Sequence, residues 1–385
     1  MSIHDDDILD FDFVDDEKTQ ERPSTGRPSG DGGRGGGRPP RGPQGPRLRA
    51  QGLTPLLRLI GLIAFAIVVV VLLVVWVQGC SSDKQRDDYN AYMTDIGGVG
   101  ADSVRIGKDL ATVLTTPGLK QAVLEQRLGG LIQQQELDVR RAEDINPPGP
   151  LTPAHEQAIE VLQLRLGGIQ GLLETFKATA SSKDASAAGQ QLAVQGTRLQ
   201  ASDVVWQDLF RAPAAQVTAD EGVEGVTVPQ SVFVTNAELY STRSMTAIWQ
   251  RIHGASTGGT PSGLHGSQLS YVKALPSGQQ LSTTTETTIE TSTALGFEVG
   301  VTNSGENQEV GVEVTLTIPK ATSPIVRTGK IELIDPGDTK AVKFENLPEV
   351  DFGEKTTVQV SVKPVAGETN TGNNSAEYPV IFSLG

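Results

Sequence analysis

Cysteine is almost absent from this sequence, since Cys80 is the single one in 385 residues. One thiol cannot form an intrachain disulfide, and it excludes a zinc or iron–sulfur site built from several cysteines. Aromatic residues are also scarce, at 5% of the chain. Acidic residues outnumber basic ones, with 46 Asp and Glu against 32 Lys and Arg, which gives a net charge of −14. An acidic, aromatic-poor chain is a poor match for nucleic acid, so we predict no nucleic-acid partner.

Residues typical of catalysis and metal binding are few as well. His155, His253 and His265 stand apart from each other and from the single cysteine, a spacing that does not suit zinc. The sequence has no Gly-x-Ser-x-Gly elbow, no His-Glu-x-x-His pair and no correctly spaced P-loop. One turn near the C-terminus offers oxygens that suit calcium: Glu368, Asn370, Asn373 and Asn374. An Asn-rich turn needs no ion to explain it, so we expect no metal, no cofactor and no enzyme.

The longest apolar run extends from Leu59 to Val77 without a formal charge. As a helix it would be roughly 28 Å long, close to the hydrocarbon core of about 30 Å of a bilayer. Arg41, Arg47, Arg49 and Arg58 precede it, and basic residues stay on the cytoplasmic side. The sequence therefore predicts a single-pass transmembrane helix at 55–79 and a cell-membrane protein with a cytoplasmic N-terminus and an extracytoplasmic C-terminal part.

Cys80 follows this run, and Val77, Gln78, Gly79 and Cys80 loosely resemble a bacterial lipobox. Lipidation of Cys80 is therefore an alternative mode of anchoring. The stretch before the run is longer than the short n-region of a secretory signal, which favours an isolated thiol.

Residues 1–54 read as a disordered cytoplasmic tail, acidic at first and then rich in Arg, Gly and Pro. The Arg-rich half suits contact with anionic lipid. In the acidic half, apolar residues alternate with Asp: Ile8, Leu9, Phe11, Phe13 and Val14. This pattern suits a short linear motif that binds a basic groove of a cytoplasmic protein. A solvated tail that pairs with the neighbouring Arg segment explains the pattern equally well.

Beyond the apolar run, residues 80–212 repeat apolar side chains at spacings of three and four, which predicts helices. Breaks occur at Pro117-Gly118 and at residues 146–150, and Thr152-Pro153 is typical of a helix start. Four helices with short connections predict an extracytoplasmic antiparallel bundle. Residues 213–293 are a mixed region, with one short strand within 226–234 and one helix over 237–252. A linker rich in Gly, Ser and Thr follows from 254, with an edge strand near its end.

From residue 294 the apolar period changes to two, which predicts strands. The alternation is longest over Val310–Ile318. Further strands are predicted near 297–301, 331–333, 342–344, 358–362 and 380–382, separated by turns rich in Gly, Asn and Asp. Six or seven short antiparallel strands within 294–385 predict an immunoglobulin-like sandwich.

Several turns of this last region are similar to those of a known family. The motifs are Val301-Thr302-Asn303-Ser304-Gly305, Ile334-Asp335-Pro336-Gly337, Phe352-Gly353, Gly367-Glu368-Thr369-Asn370 and Asn373-Asn374-Ser375. They resemble the bacterial CARDB domain, a cell-adhesion-related immunoglobulin-like module. The resemblance covers about the last quarter of the chain, and it implies a prokaryotic envelope protein without catalytic activity.

Together these patterns predict a fold class of α plus separate all-β: a transmembrane helix, a helical bundle and a C-terminal sandwich. The expected function is non-catalytic binding, adhesion or scaffolding in the cell envelope, with a protein or a cell-wall polymer as the partner outside. The alternative is a single-pass receptor whose helical part signals to the cytoplasmic motif.

Overall fold

The structure, a computed structural model, describes residues 54–259 and 261–384, and within the first helix it describes side chains at 60–72 and from 83 onward. The chain divides into two units, residues 1–67 and 68–385. The helices are α1 (Thr54–Leu114), α2 (Gln121–Glu143), α3 (Thr152–Ala178), α4 (Ala185–Val205), α5 (Ala212–Asp220) and α6 (Thr242–Thr257). A π-helical turn, Trp206–Arg211, joins α4 to α5.

The predicted membrane span is wrong, because no helix among the described residues is long and apolar enough to cross a bilayer. The apolar side chains described at residues 60–72 are mostly exposed. They cover roughly 20 Å of helix, against about 30 Å of hydrocarbon. The helix then continues without interruption to Leu114. The transmembrane part of the predicted fold class and the single-pass cell-membrane localisation are therefore corrected.

α2 and α3 pack as antiparallel neighbours, and α2 also contacts α1. Ser103 of α1 donates a hydrogen bond to Gln135 of α2 at 2.9 Å, and Gln135 donates to the carbonyl of Leu162 in α3 at 3.3 Å. Near the start of α2, Gln121 instead donates to the carbonyl of Phe176, near the end of α3. The later part of α2 thus contacts the middle of α3, whereas the start of α2 contacts the end of α3. These two helices therefore run in opposite directions.

One buried arginine connects three helices and a loop. Arg165 of α3 is fully buried, and its guanidinium donates to the carboxylate of Asp203 at 3.0 Å. It also donates to the hydroxyls of Ser103, Ser202 and Ser231 at 3.1, 3.2 and 2.7 Å. Burial lowers the pKa of Arg165 to about 10, and Asp203 opposes that shift. A buried charge is tolerated when its partners satisfy its donors, and here every guanidinium nitrogen has a partner.

An extended segment between α5 and α6 lies against glycines of α1. A Cβ added at Gly97 would lie 3.2 Å from Pro229, and one added at Gly107 would lie 2.2 Å from the carbonyl oxygen of Phe233. Side chains at these positions would push the segment away. Glycine on this face of α1 therefore allows the segment to pack directly on the helix backbone.

Within residues 261–384, nine strands form two sheets that enclose a common core. The strands are β1 (Ser267–Leu275), β2 (Gln279–Gln280), β3 (Thr287–Thr291), β4 (Gly296–Asn303), β5 (Glu309–Ile318), β6 (Ile325–Ile334), β7 (Thr339–Phe344), β8 (Lys355–Val362) and β9 (Ser375–Leu384). Their orders are β2-β1-β4-β7 and β3-β9-β8-β5-β6. Neighbours are antiparallel except β3 and β9, which are parallel. The result is a β-sandwich.

The sandwich begins earlier in the chain than the predicted boundary at residue 294. β1 pairs with β4 from Ser267 to Leu275, and β3 pairs with β9. β1 lies in the part that the sequence analysis assigns to a linker, whereas β3 lies at the end of that part, where an edge strand is expected. The strand expected within 226–234 is not among the described strands. Val272 and Ala274 are the fully buried apolar residues of β1, and so few apolar positions do not produce a recognisable alternation.

The helical region and the sandwich share a hydrophobic core. Val310 of β5 and Leu333 of β6 are buried in the same cluster as Leu110 and Leu114 of α1 and Met245 of α6. The two parts therefore form a packed junction.

Gly311 of β5 brings the two backbones together at this junction. Its φ is +71°, and an added Cβ would lie 1.9 Å from the carbonyl oxygen of Thr115, just past the end of α1. Residues with a Cβ rarely adopt this φ. Position 311 therefore requires glycine for conformation and for space.

Replacing Val314 by aspartate tests which face of β5 lies in the sandwich core. It is fully buried in β5, so Val314→Asp places a carboxylate without a partner among apolar side chains. We expect the free energy of unfolding of the full chain to fall by about 3 kcal/mol or more, measured by chemical denaturation. Thr317→Asp, on the opposite face of the same strand, should cost about 1 kcal/mol or less. Equal losses would contradict the assignment of the two faces.

Replacing Gly311 by alanine tests the close contact at the junction, and the same replacement at Gly337 is the matched control. Gly337 has a similar φ of +79°, but an added Cβ there meets nothing within 4 Å. Gly337→Ala should therefore cost only the backbone strain, roughly 1–2 kcal/mol. Gly311→Ala should cost clearly more, because its Cβ also collides with the carbonyl of Thr115. Similar unfolding free energies for the two variants would show that the contact does not hold the junction together.

Candidate binding site

The C-terminal end of α1 is the centre of the junction. The last carbonyls of a helix lack partners within the helix and carry a partial negative charge. Arg251 of α6 donates from one terminal nitrogen to the carbonyl of Leu114 and from the other to the carbonyl of Thr116. Lys330 of β6 donates to the hydroxyl of Thr115 at 2.6 Å. A cation from the helical region and one from the sandwich therefore hold the same helix end.

A cleft of about 290 Å³ lies beside this helix end. One wall is the last part of α6, where Ala247, Arg251, Gly254 and Ala255 line the space; the other comprises residues 308–311 and 363–366 of the sandwich. Small side chains on α6 leave the room that the cleft occupies. Concave sites of this size between two packed parts of a protein are typical ligand sites.

His265 and Glu309 form a buried pair in the cleft wall. Nδ1 of His265 lies 2.8 Å from a carboxylate oxygen of Glu309, and Nε2 lies 3.3 Å from the carbonyl oxygen of Ser262. Both ring nitrogens therefore face acceptors, an arrangement that favours the imidazolium form. The hydrogen bond to Glu309 raises the pKa of His265 against the opposing effect of burial.

Two other polar groups in the lining are incompletely satisfied. Nε of Arg251 and Oε1 of Gln308 are buried and have no hydrogen-bond partner among the described residues. The amide nitrogen of Gln308 donates to Asp335 at 2.9 Å, which fixes the side chain. Buried donors and acceptors are usually paired, and these two atoms, which have almost no accessible surface, are exceptions within the described part of the chain.

Arg251 differs from Arg165 in its partners. Both arginines are at least nine-tenths buried, and burial lowers the pKa of each to about 10. Arg165 has the carboxylate of Asp203 at 3.0 Å. Across the described residues, by contrast, no acidic side chain lies within ion-pair distance of Arg251. The groups that accept hydrogen bonds from its guanidinium are the carbonyls of Leu114 and Thr116.

The residues of the predicted tail motif and lipid anchor have no described side chains. Ile8, Leu9, Phe11, Phe13 and Val14 fall outside the described residues, and Cys80 lies in α1, where side chains are described only at 60–72 and from 83 onward. The interpretations of the tail motif and of the lipid anchor therefore stay predictions.

The Asn-rich turn uses its carboxylate for backbone contacts. Glu368 accepts hydrogen bonds from the backbone N–H groups of Ser267 and Val365 at 2.7 and 2.8 Å. Within the described ranges, no three His, Cys, Asp or Glu side chains are grouped to hold a metal. The carboxylate thus fixes the turn against β1.

The sequence analysis missed Arg251 and Gln308. Arg251 is next to Ile252 and three residues, nearly one helical turn, after Ile248 of α6, and that closeness to the apolar face was the available signal. Its burial depends on α1, more than a hundred residues earlier. His265 was assigned to a linker, since its partner Glu309 is distant in sequence.

Comparisons with known proteins give matches among solved structures alone. No family model matches the chain, and no curated protein matches it. The crystal structure of the CARDB domain of the PF1109 protein from Pyrococcus furiosus, in complex with di-metal ions, is 17% identical with a TM-score of 0.25 and covers 33% of this chain and 100% of that domain. Its solution NMR structure is 18% identical with a TM-score of 0.23 and covers 31% of this chain and 97% of that one.

The apo form of the Calx CBD1 domain is 16% identical with a TM-score of 0.19 and covers 29% of this chain and 96% of that one. All three likenesses are of fold. Two of these structures are of a CARDB domain, the family that the turn motifs resemble.

The His265–Glu309 pair predicts a pH dependence of stability. Because the pKa of His265 is raised in the folded state, its contribution is fully present below about pH 6.5, the usual value, and is lost as pH rises through the raised pKa. His265→Gln should therefore destabilise the chain more at pH 5.5 than at pH 9, in denaturation experiments at fixed salt.

His155 serves as the control because its pKa is shifted in the opposite direction from that of His265. Burial lowers its pKa, so its contribution is present above the usual pKa and is lost as pH falls. His155→Gln should cost more at high pH than at low pH. A His265→Gln loss that does not change with pH would contradict the charged pair.

Proposed function

We propose that this chain is a non-catalytic binding module whose ligand occupies the cleft between α6 and the start of β5. The observation that carries the proposal is the cleft itself, which is built from two parts that share one core. Val310 and Leu333 of the sandwich are buried with Leu110 and Leu114 of α1. Walls fixed by a common core form a site before the ligand arrives, and preorganisation lowers the cost of binding.

The polar groups of the cleft support binding rather than catalysis. Both nitrogens of His265 are engaged, and the carboxylate of Glu309 is engaged with the ring. A general base needs a free lone pair directed at the substrate. An imidazolium tied to a carboxylate and a carbonyl has none, so these residues stabilise the wall of the site.

In this proposal the chain acts in adhesion or scaffolding. Its partner is a protein or a cell-wall polymer that inserts a short segment into the cleft. A cleft of about 290 Å³ holds a segment of one or two residues, so the remaining contacts of a large partner would lie on the surrounding surface.

Filling the cleft tests the proposal. Ala366 lines the cleft and is exposed, so Ala366→Trp should occupy the space without disturbing the core. We expect fragments detected by ligand-observed NMR on the full chain to lose affinity by at least about tenfold, or ~1.4 kcal/mol.

Ala294→Trp, at an exposed position outside the cleft, is the matched control and should leave fragment binding unchanged. If Ala366→Trp bound the same fragments as the unmodified chain, the cleft would not be the site.

A further inference from the structure

Residues 226–228 form an extended segment that belongs to neither sheet. Apolar and polar side chains alternate over Val226, Thr227 and Val228, and the structure buries Val228, half-buries Val226 and exposes Thr227. This pattern is typical of a strand with one covered face, and the sequence predicts a strand here. No described strand includes these residues, and their N–H and carbonyl groups form no backbone hydrogen bond with the rest of the described chain. The segment therefore resembles an edge strand.

A groove of about 700 Å³ lies beside this segment. Its opposite wall is α5, from which Ala212, Ala215 and Ala219 line the groove. Their spacings of three and four place them on one face of the helix, and all three are exposed. Short side chains on that face leave space next to the segment. An edge strand that borders an open groove can pair with a further strand through its backbone.

The π-helical turn before α5 supplies the charge of the groove. Such turns often occur at functional sites, and Gln207 and Arg211 of this turn both line the groove. Among the described residues of the lining, Arg211 alone is charged. One terminal nitrogen of its guanidinium donates to the side-chain oxygen of Gln207 at 3.2 Å, a neutral partner. An arginine without a paired acid complements a carboxylate of a binding partner.

The nearby acidic groups stand at the other end of α5. Asp220 is roughly 14 Å from Arg211 along the helix. It accepts a hydrogen bond from Gln216 at 2.8 Å, and Glu221 accepts one from Gln85 of α1 at 3.1 Å. Neither carboxylate lines the groove. An acidic side chain of a partner is therefore attracted to the π-helical end and repelled from the other end.

We infer that an extended peptide segment of another protein binds in this groove as a strand paired with residues 226–228, and that Arg211 binds a carboxylate of that peptide. Main-chain hydrogen bonds would supply affinity, and the alternate side chains would supply specificity. The site is additional to the cleft of the proposed function, since no described residue lines both.

A free peptide suits the groove better than a second copy of the chain. In each copy the segment is packed on its own α1, where an added Cβ at Gly97 would lie 3.2 Å from Pro229. Val228 is buried in the core of the helical region. A segment held in this way cannot enter the groove of a neighbour, whereas a peptide that is free on both edges can.

The test uses the full chain and a matched set of short peptides. The first is acetyl-Val-Glu-Val-Thr-Val-amide, which alternates apolar and polar residues and carries one carboxylate. The second has Gln in place of Glu, and the third is the first with every amide nitrogen methylated. In titration calorimetry at pH 7, we expect the second to bind at least about tenfold more weakly than the first. The third should not bind, because it has lost its backbone donors.

Amide hydrogen exchange shows where the first peptide binds. Successive N–H groups of a strand point to opposite edges, so pairing on one edge protects alternate residues. We expect exchange to slow by at least about tenfold at Val226 and Val228 together, or at Thr227 alone. Equal protection of all three amides, or protection of none, would overturn the inference.

Variants test the two walls of the groove. Ala215→Trp should fill the space and abolish peptide binding, while Ala101→Trp, at an exposed alanine of α1 outside the groove, should leave it unchanged. Arg211→Met should remove the preference for Glu over Gln, and Arg198→Met, at an exposed arginine of α4, should keep it. As a second measurement without a variant, raising the salt from about 50 to about 500 mM should narrow that preference.

The remaining outcomes are decisive. Equal affinity for all three peptides, or binding of none, would overturn strand pairing. A dimer that Ala215→Trp dissociates would assign the groove to a second copy and overturn the inference as well. Ala366→Trp, which fills the cleft, should leave peptide binding unchanged, so failure of the proposed function is distinguishable from failure of this inference.

Discussion

The end of α1 is the constraint on which the junction depends. A helix that ends inside a protein leaves carbonyls that need donors, and here the donors come from different parts of the chain, Arg251 in α6 and Lys330 in β6. Gly311 allows the strand backbone to reach the same point. The position of the sandwich against the helices, and hence the shape of the cleft, follows from satisfying one helix terminus.

The two buried arginines show how the same residue serves different purposes. Arg165 is surrounded by one carboxylate and three hydroxyls, and it locks α3 to its neighbours. Arg251 also holds backbone together, but without a carboxylate and with one donor unused. A fully satisfied network fixes a structure. An incompletely satisfied one, here beside a cleft, leaves a buried donor without a partner among the described residues.

Much of the local structure follows from the sequence, whereas the site does not. Thr152-Pro153 predicts the start of α3, and the alternation over Val310–Ile318 lies within β5. Both signals are local. β1 was missed because its core positions are few, and the membrane span was predicted from the uncharged run at 59–77 and its basic flank, without the context of the long helix that contains it. Arg251 and Gln308 were missed because burial of a polar side chain is decided by residues far away in the chain.

The shared core also affects how the chain can be divided. Domain boundaries usually fall where few contacts cross, which allows a module to be moved between proteins. Here Val310 and Leu333 complete a cluster whose other members belong to the helices. A sandwich excised near residue 260 would carry these two side chains, and Gly311 beside them, on an uncovered surface. Exchange of this sandwich between proteins would therefore require a recipient whose own helix end covers the exposed apolar surface. Otherwise the helical region and the sandwich would have to be exchanged together.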